Sequence, residues 1–161
     1  MKGGMPNTSL RALVEAYAAG KNSQDVAAAL AVCHDDFMLD TPCFGTRSRG
    51  RAETAAQLEL FFAAFPDYHA IVDDLVARPD AVACWGTVVM TLQGPVLDIA
   101  PTGRTARVPF VSVFTGRDGR IESERFHFDL ATLCTQIGVP TDRLLATLAA
   151  LRPSPAFEEA S

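Results

Sequence analysis

The feature that most constrains how this chain can fold is a change of hydrophobic period at Pro66. Just before it, Ala55, Leu58, Phe61, Phe62 and Phe65 recur every third or fourth residue, a spacing that puts them on one face of a helix. After it, apolar and polar residues alternate as far as Asp129, as they do in strands, where successive side chains point to opposite faces. The spacing predicts four strands, Tyr68 to Ala77, Ala81 to Leu92, Thr105 to Thr115 and Arg120 to Phe128. Arg78-Pro79-Asp80, the Gly94 to Gly103 loop and the turn Gly116-Arg117-Asp118-Gly119 separate them. Helices followed by a meander imply an α+β fold, not alternating βαβ units.

The flanking segments complete this outline. Thr8 or Ser9 can cap a helix that reaches about Ala19, with Leu10, Leu13, Val14 and Tyr17 as its apolar stripe and Gly20 as its stop. Ser23 opens a second helix through Ala27 to Val32, and Asp36 to Thr41 reads as a short strand. Cys43 to Gly50 is then either a solvated connection or a substrate lid. Arg51 to Phe65 is the third helix, and Leu130 to Ile137 and Thr141 to Leu151 are closing helices around Gly138 and Pro140. With 161 residues and 48% hydrophobic composition, one core accounts for the chain. A single domain over 1–161 is expected, with 1–7 and 152–161 as flexible tails.

Charge and residue usage exclude several functions. A net charge of -5 with no basic run argues against nucleic-acid binding, which concentrates Lys and Arg against phosphates. The only lysines, Lys2 and Lys21, both lie near the N-terminus, so no amine is expected in the core for Schiff-base chemistry. Cys33, Cys43, Cys84 and Cys134 fall in segments that read as helix, loop, strand and helix, and they form no CxxC pair. They are expected to be free thiols in a reducing compartment. His34, His69 and His127 are too dispersed to suggest a metal site. No stretch approaches the roughly 20 apolar residues of a membrane span. A soluble, cytoplasmic protein is the expectation.

The last strand carries the densest chemistry. Unbroken alternation puts Ile121, Ser123, Arg125, His127 and Asp129 on one face, and Glu122, Glu124, Phe126 and Phe128 on the other. Phe126 and Phe128 read as core anchors. Arg125, His127 and Asp129 place a cation, an imidazole and a carboxylate about 7 Å apart at alternate positions. If that face lines a cavity it is a proton-transfer site, and if it meets water it is an ordinary solvated face. Asp129 is equally placed to cap the helix beginning at Leu130, and Arg125 to pair with Glu53 or Glu59. Trp85 reads as core or as a ligand platform, Phe61 and Phe65 as core or cavity wall, and Asp40 as a residue without function or one where the first strand enters the cavity.

The element order resembles the nuclear-transport-factor-two-like cone, in which a curved, mixed but mostly antiparallel sheet wraps a pocket closed by helices. Four motifs in sequence are similar to those of SnoaL-like polyketide cyclases: Phe65-Pro66-Asp67, Pro101-Thr102-Gly103-Arg104, Asp118-Gly119-Arg120-Ile121, and Asp129 followed by Leu133 and Gln136-Ile137-Gly138. The resemblance spans about Leu10 to Gly138. It implies a cofactorless enzyme of polyketide antibiotic biosynthesis that closes a ring by intramolecular aldol addition. Asp129 would be its acid and base, with His127 beside it. It also implies an apolar polyketide-like substrate that touches Arg125, Phe61, Phe65, Trp85, Leu92 and Asp40, and a homodimer through the outer sheet face of Val72, Leu75, Val111 and Val113. Two departures fall on the expected lining: Leu92-Gln93-Gly94 stands where relatives carry His-Thr-Gly, and Arg125 stands where they carry Trp. They leave the fold intact and open the reaction to a role as partner in aromatic hydroxylation, or to binding without catalysis.

Overall fold

Ser9 starts the first helix by accepting a hydrogen bond from the Ala12 N–H at 3.2 Å, which satisfies one of the unpaired donors at a helix start. The computed structural model describes residues 8–151, so both expected tails, 1–7 and 152–161, lie outside the described residues. Helix α1, Leu10–Asn22, runs straight through Gly20. That glycine is a contact point and not a stop: a Cβ there would stand 2.6 Å from the Ala29 backbone nitrogen, in the short helix α2, Val26–Leu30. Asp25, not Ser23, caps α2, accepting from the Ala28 N–H at 2.9 Å.

Strand β1 spans Cys33–Thr41, so Cys33 is a strand residue and not a helical one. A 3₁₀ turn, Pro42–Phe44, leads to β2, Thr46–Arg49. The segment expected as a loop or lid is therefore a strand that pairs antiparallel with β1. Helix α3, Arg51–Ala64, is followed by β3, His69–Ala77, β4, Ala81–Thr91, β5, Thr105–Arg117, and β6, Arg120–Phe128. Helices α4, Leu130–Ile137, and α5, Thr141–Leu148, close the described chain.

The six strands form one sheet in the order β2-β1-β6-β5-β4-β3. Only the β1–β6 pair is parallel. This is the expected α+β cone, an open, mostly antiparallel sheet packed against helices. Along β5 the alternation is clean: Ala106, Val108, Phe110, Ser112 and Phe114 are buried and their neighbours are not. Each large apolar side chain buried in this way contributes about 1.5–3 kcal/mol.

Strand β6 departs from clean alternation at one point. Thr115 pairs with Ser123 but Gly116 pairs with Ile121, leaving Glu122 as the extra residue of a bulge. The bulge switches the face, so Ile121 is buried together with Glu124, Phe126 and Phe128. The single face expected for Ile121, Ser123, Arg125, His127 and Asp129 does not exist. Beyond the bulge Arg125 and His127 are exposed, whereas Glu124 lies inside. Asp118 and Gly119, with φ of 54° and 71°, form the two-residue turn that joins β5 and β6, as the right-handed twist of a hairpin favours. Among the described residues no helix is long and apolar enough to cross a membrane.

Candidate functional site

The concave side of the sheet holds a cavity of about 120 Å³, walled by Gln57, Leu58 and Phe61 of α3, Leu144 and Leu148 of α5, and the Pro95–Leu97 segment of the long β4–β5 connection. Phe61 and Phe65 line it, and the rings of Phe61 and Tyr68 meet edge to face at 5.3 Å. The walls are mostly apolar. At the inner end stand Lys21 and Tyr68, and Lys21 is the one charged side chain among the described residues that line the cavity.

Lys21 overturns the expectation that the core lacks an amine. It sits in the last turn of α1 and is 6% exposed. Its Nζ lies 5.1 Å from the ring centres of Tyr17 and Phe126 and 5.6 Å from that of Tyr68, inside an aromatic cage that attracts a cation. The Glu124 carboxylate, 2% exposed, supplies the counter-charge with Oε2 3.6 Å from Nζ. Tyr17 donates its hydroxyl to the same oxygen at 2.5 Å, and Ser112 donates to Oε1 at 3.0 Å. Among the described residues no buried side-chain polar atom lacks a partner, which is the condition under which a buried charge persists.

The electrostatics follow from this arrangement. Burial alone would lower the Lys21 pKa, but the Glu124 charge and then Tyr68 push it above the ordinary lysine value, so the amine stays an ammonium. Burial, the Glu124 charge and the hydrogen bond to it raise the Tyr17 hydroxyl well above its usual range. Burial first, and then Glu124 against the opposing pull of Lys21, raises Tyr68. Both phenols therefore stay protonated. A fixed cation and a phenol O–H at the end of an apolar cavity can hold a carbonyl oxygen and stabilise it as it becomes an oxyanion.

The residues that alternation pointed to lie elsewhere. Asp129 is fully exposed and caps α4, accepting from the Thr132 N–H at 3.2 Å and from its hydroxyl at 2.9 Å. Those bonds hold its carboxyl below the usual carboxylate value. Arg125 and His127 face out from β6, and Trp85, 38% exposed, faces out from β4, so it is neither core nor cavity wall. Asp40 joins them on the outer side, its Oδ2 3.4 Å from both Arg125 Nε and Arg47 Nη2. The ladder explains the grouping, because Trp85 pairs with Val111 and Val111 with His127, while Arg125 pairs with Asp40 and Asp40 with Arg47. Arg125 thus pairs with Asp40 and not with Glu53 or Glu59. Leu92 is buried in the core and does not line the cavity.

Two signals in the chain point to the site. Lys21 continues the stripe Leu10, Val14, Tyr17 by one more turn, once Gly20 is read as a contact. Glu124 alternates with Phe126 and Phe128, so a carboxylate shares the face of the two core anchors.

The profile of the SnoaL-like polyketide cyclase family matches residues 11–137. No curated protein matches the chain. Among solved structures, a candidate SnoaL-like polyketide cyclase from Jannaschia sp. CCS1 superposes with a TM-score of 0.73 at 20% identity, covering 87% of this chain and 99% of that one. A candidate polyketide cyclase from Pseudomonas putida KT2440 gives 0.67 at 27% identity, over 83% and 99%. AclR, a candidate hydroxylase from Streptomyces galilaeus, gives 0.68 at 24% identity, over 81% and 96%. The fold is shared with these candidate cyclases and the candidate hydroxylase alike, and with the profile covering most of the chain, the conclusion is that this chain belongs to the SnoaL-like polyketide cyclase family.

Proposed function

We propose that the cavity takes an apolar polyketide-like ketone and promotes an intramolecular aldol ring closure, with Lys21 holding the oxygen on which negative charge develops. The observation that carries this reading is the caged ammonium at the inner end of a mostly apolar cavity. A carbon between two carbonyls is already acidic, and its enolate needs one well-placed cation in a site of low dielectric. The apolar walls hold the chain so that the enolate carbon and the receiving carbonyl meet, and such positioning is worth several kcal/mol, on the order of 7–11 at the limit. Tyr68 supplies a second donor at the same end.

A reading as a binding protein has one observation in its favour, that no carboxylate lines this cavity among the described residues. Mass spectrometry separates the alternatives. Wild type and Lys21→Met are incubated with aromatic polyketide methyl esters, with and without NADPH and a reductase. An isomer or dehydrated isomer formed by wild type and lost in Lys21→Met supports the cyclase. A reductant-dependent gain of oxygen replaces it with hydroxylation, and ligand binding without turnover replaces it with a binding role.

The homodimer implied by family resemblance is placed by this reading on the outer face, where Val111 and Val113 are exposed with Trp85 beside Asp40 and its two arginines, whereas Val72 and Leu75, expected on the same face, border the inner space beside α1. A patch carrying both signs of charge around an apolar centre is suited to self-complementary packing about a two-fold axis. A monomer in sedimentation at tens of micromolar would remove this assignment.

A further inference from the structure

Behind Lys21 lies a second cavity, of about 180 Å³, between α1 and the concave face of β3 to β6. Lys21, Tyr68 and Phe126 line both cavities, so three side chains form the partition between them. Glu124, Tyr17 and Ser112 belong to the second cavity only. The rest of its wall is largely apolar, with Phe110 and Phe114 from β5 and Val14 from α1.

Size and polarity argue that the two cavities act together. Ligand sites of small-molecule proteins usually begin at about 300 Å³, which neither cavity reaches alone and the pair does. The charged groups are concentrated where the cavities meet: Lys21 stands in the partition, and Glu124 lies 3.6 Å behind it on the second side. A carboxylate offers about four acceptor positions. Tyr17 and Ser112 engage two of them by hydrogen bonds, and Lys21 faces the carboxylate at 3.6 Å, which leaves room for a proton.

We propose that the two cavities form one bipartite site, in which Glu124 takes the proton from the substrate carbon while Lys21 holds the neighbouring carbonyl oxygen. The inference rests on the proposed aldol reading and narrows its substrate class to an elongated polyketone. Its acidic carbon lies mid-chain, with an apolar portion on either side. In the first step the C–H bond breaks, the proton passes to the Glu124 carboxylate, and the electron pair spreads onto the oxygen at Lys21. The enolate carbon then bonds to a second carbonyl carbon of the same molecule. The alkoxide formed there recovers the proton from Glu124, so protons and electrons balance without any other reactant. Tyr17 and Ser112 act as positioning residues that fix the carboxylate.

The test uses deoxybenzoin, a ketone with one phenyl ring on each side of its CH₂–C=O unit, and acetophenone, which has one ring. Proton NMR in D₂O follows exchange of the carbon-bound hydrogens. Wild type accelerates exchange of deoxybenzoin. Glu124→Gln and Glu124→Asp each lower that rate by roughly 10²-fold or more, as loss or retraction of a general base does. Glu124→Asp keeps the charge opposite Lys21, and circular dichroism confirms its fold, so the test survives if Glu124→Gln does not fold. Ala18→Trp, at a half-buried position of α1 that lines the second cavity, slows deoxybenzoin more than it slows acetophenone, so the ratio of the two rates falls. Acceleration by wild type that persists in a folded Glu124 variant, or a rate ratio that Ala18→Trp does not lower, overturns the bipartite site and leaves the aldol reading standing. No acceleration of either ketone by wild type overturns both.

Discussion

Removing the Lys21 charge tests the electrostatics of the site independently of any substrate. Nζ and Glu124 Oε2 are 3.6 Å apart and both side chains are buried. At an effective dielectric of about 20 their attraction is on the order of 4–5 kcal/mol. In Lys21→Met that attraction disappears, and Glu124 is left as a buried carboxylate held only by Tyr17 and Ser112. The thioether fills part of the aromatic cage and removes the desolvation cost of the ammonium, which offsets part of the loss. A net destabilisation of about 3 kcal/mol is expected, at the low end for breaking one side of a buried pair. Glu124→Gln alone should cost a similar amount by stranding the ammonium. Lys21→Met combined with Glu124→Gln removes both charges and should cost well under the sum, with a coupling of about 2 kcal/mol or more. Urea denaturation followed by far-ultraviolet circular dichroism measures all four corners of the cycle. Losses that add to within about 0.5 kcal/mol would mean that the two groups do not interact, and the argument for a fixed cation at the cavity end would fail with them.

Four further outcomes are expected. Burial pushes the thiols of Cys33 to about 12 and of Cys84 to about 11, and Tyr17, Tyr68 and Lys21 are also raised. A raised group stabilises the fold below its unfolded pKa and loses that contribution as pH rises towards its folded pKa. Tm should therefore hold from pH 7 to 8 and fall steadily from about pH 9 upward, and a flat profile to pH 11 would contradict the burial of these groups. Gly20→Ala, which in an exposed helix would stabilise by about 1 kcal/mol, should instead destabilise by roughly 1–3 kcal/mol because the new Cβ meets the Ala29 backbone; chemical denaturation reads the sign. Asp129→Asn keeps a capping side chain at the start of α4 and should leave the deoxybenzoin exchange rate unchanged, whereas a large loss would return the chemistry to the end of β6. The ammonium should favour the ionised form of a bound 2-naphthol, so its naphtholate absorbance should appear at lower pH in wild type than in Lys21→Met.

Local pattern carried much of this protein. The helical stripe of α3, the period-two run after Pro66 and the Asp118-Gly119 turn are each set by neighbours in the chain, and α4 spans Leu130–Ile137 as the pattern predicts. The four motifs between Phe65 and Gly138 pointed to a family that the profile match over residues 11–137 supports. Which side of a strand faces the cavity is not a local property. One extra residue at Glu122 shifts the β5–β6 register, and the unbroken alternation that put Arg125 and His127 beside Asp129 gives way to an outer cluster around Asp40. Lys21 reads as a residue near the N-terminus and outside the core, because a single sequence does not show that the glycine before it lets α2 pack close against α1. Residue 21 and residue 124 are over a hundred positions apart, and their pairing is a contact that only the assembled sheet and the helix laid across it create. Composition and periodicity determined the elements and their order; the bulge, the glycine contact and the burial of one ion pair, all products of tertiary packing, decided where the chemistry sits.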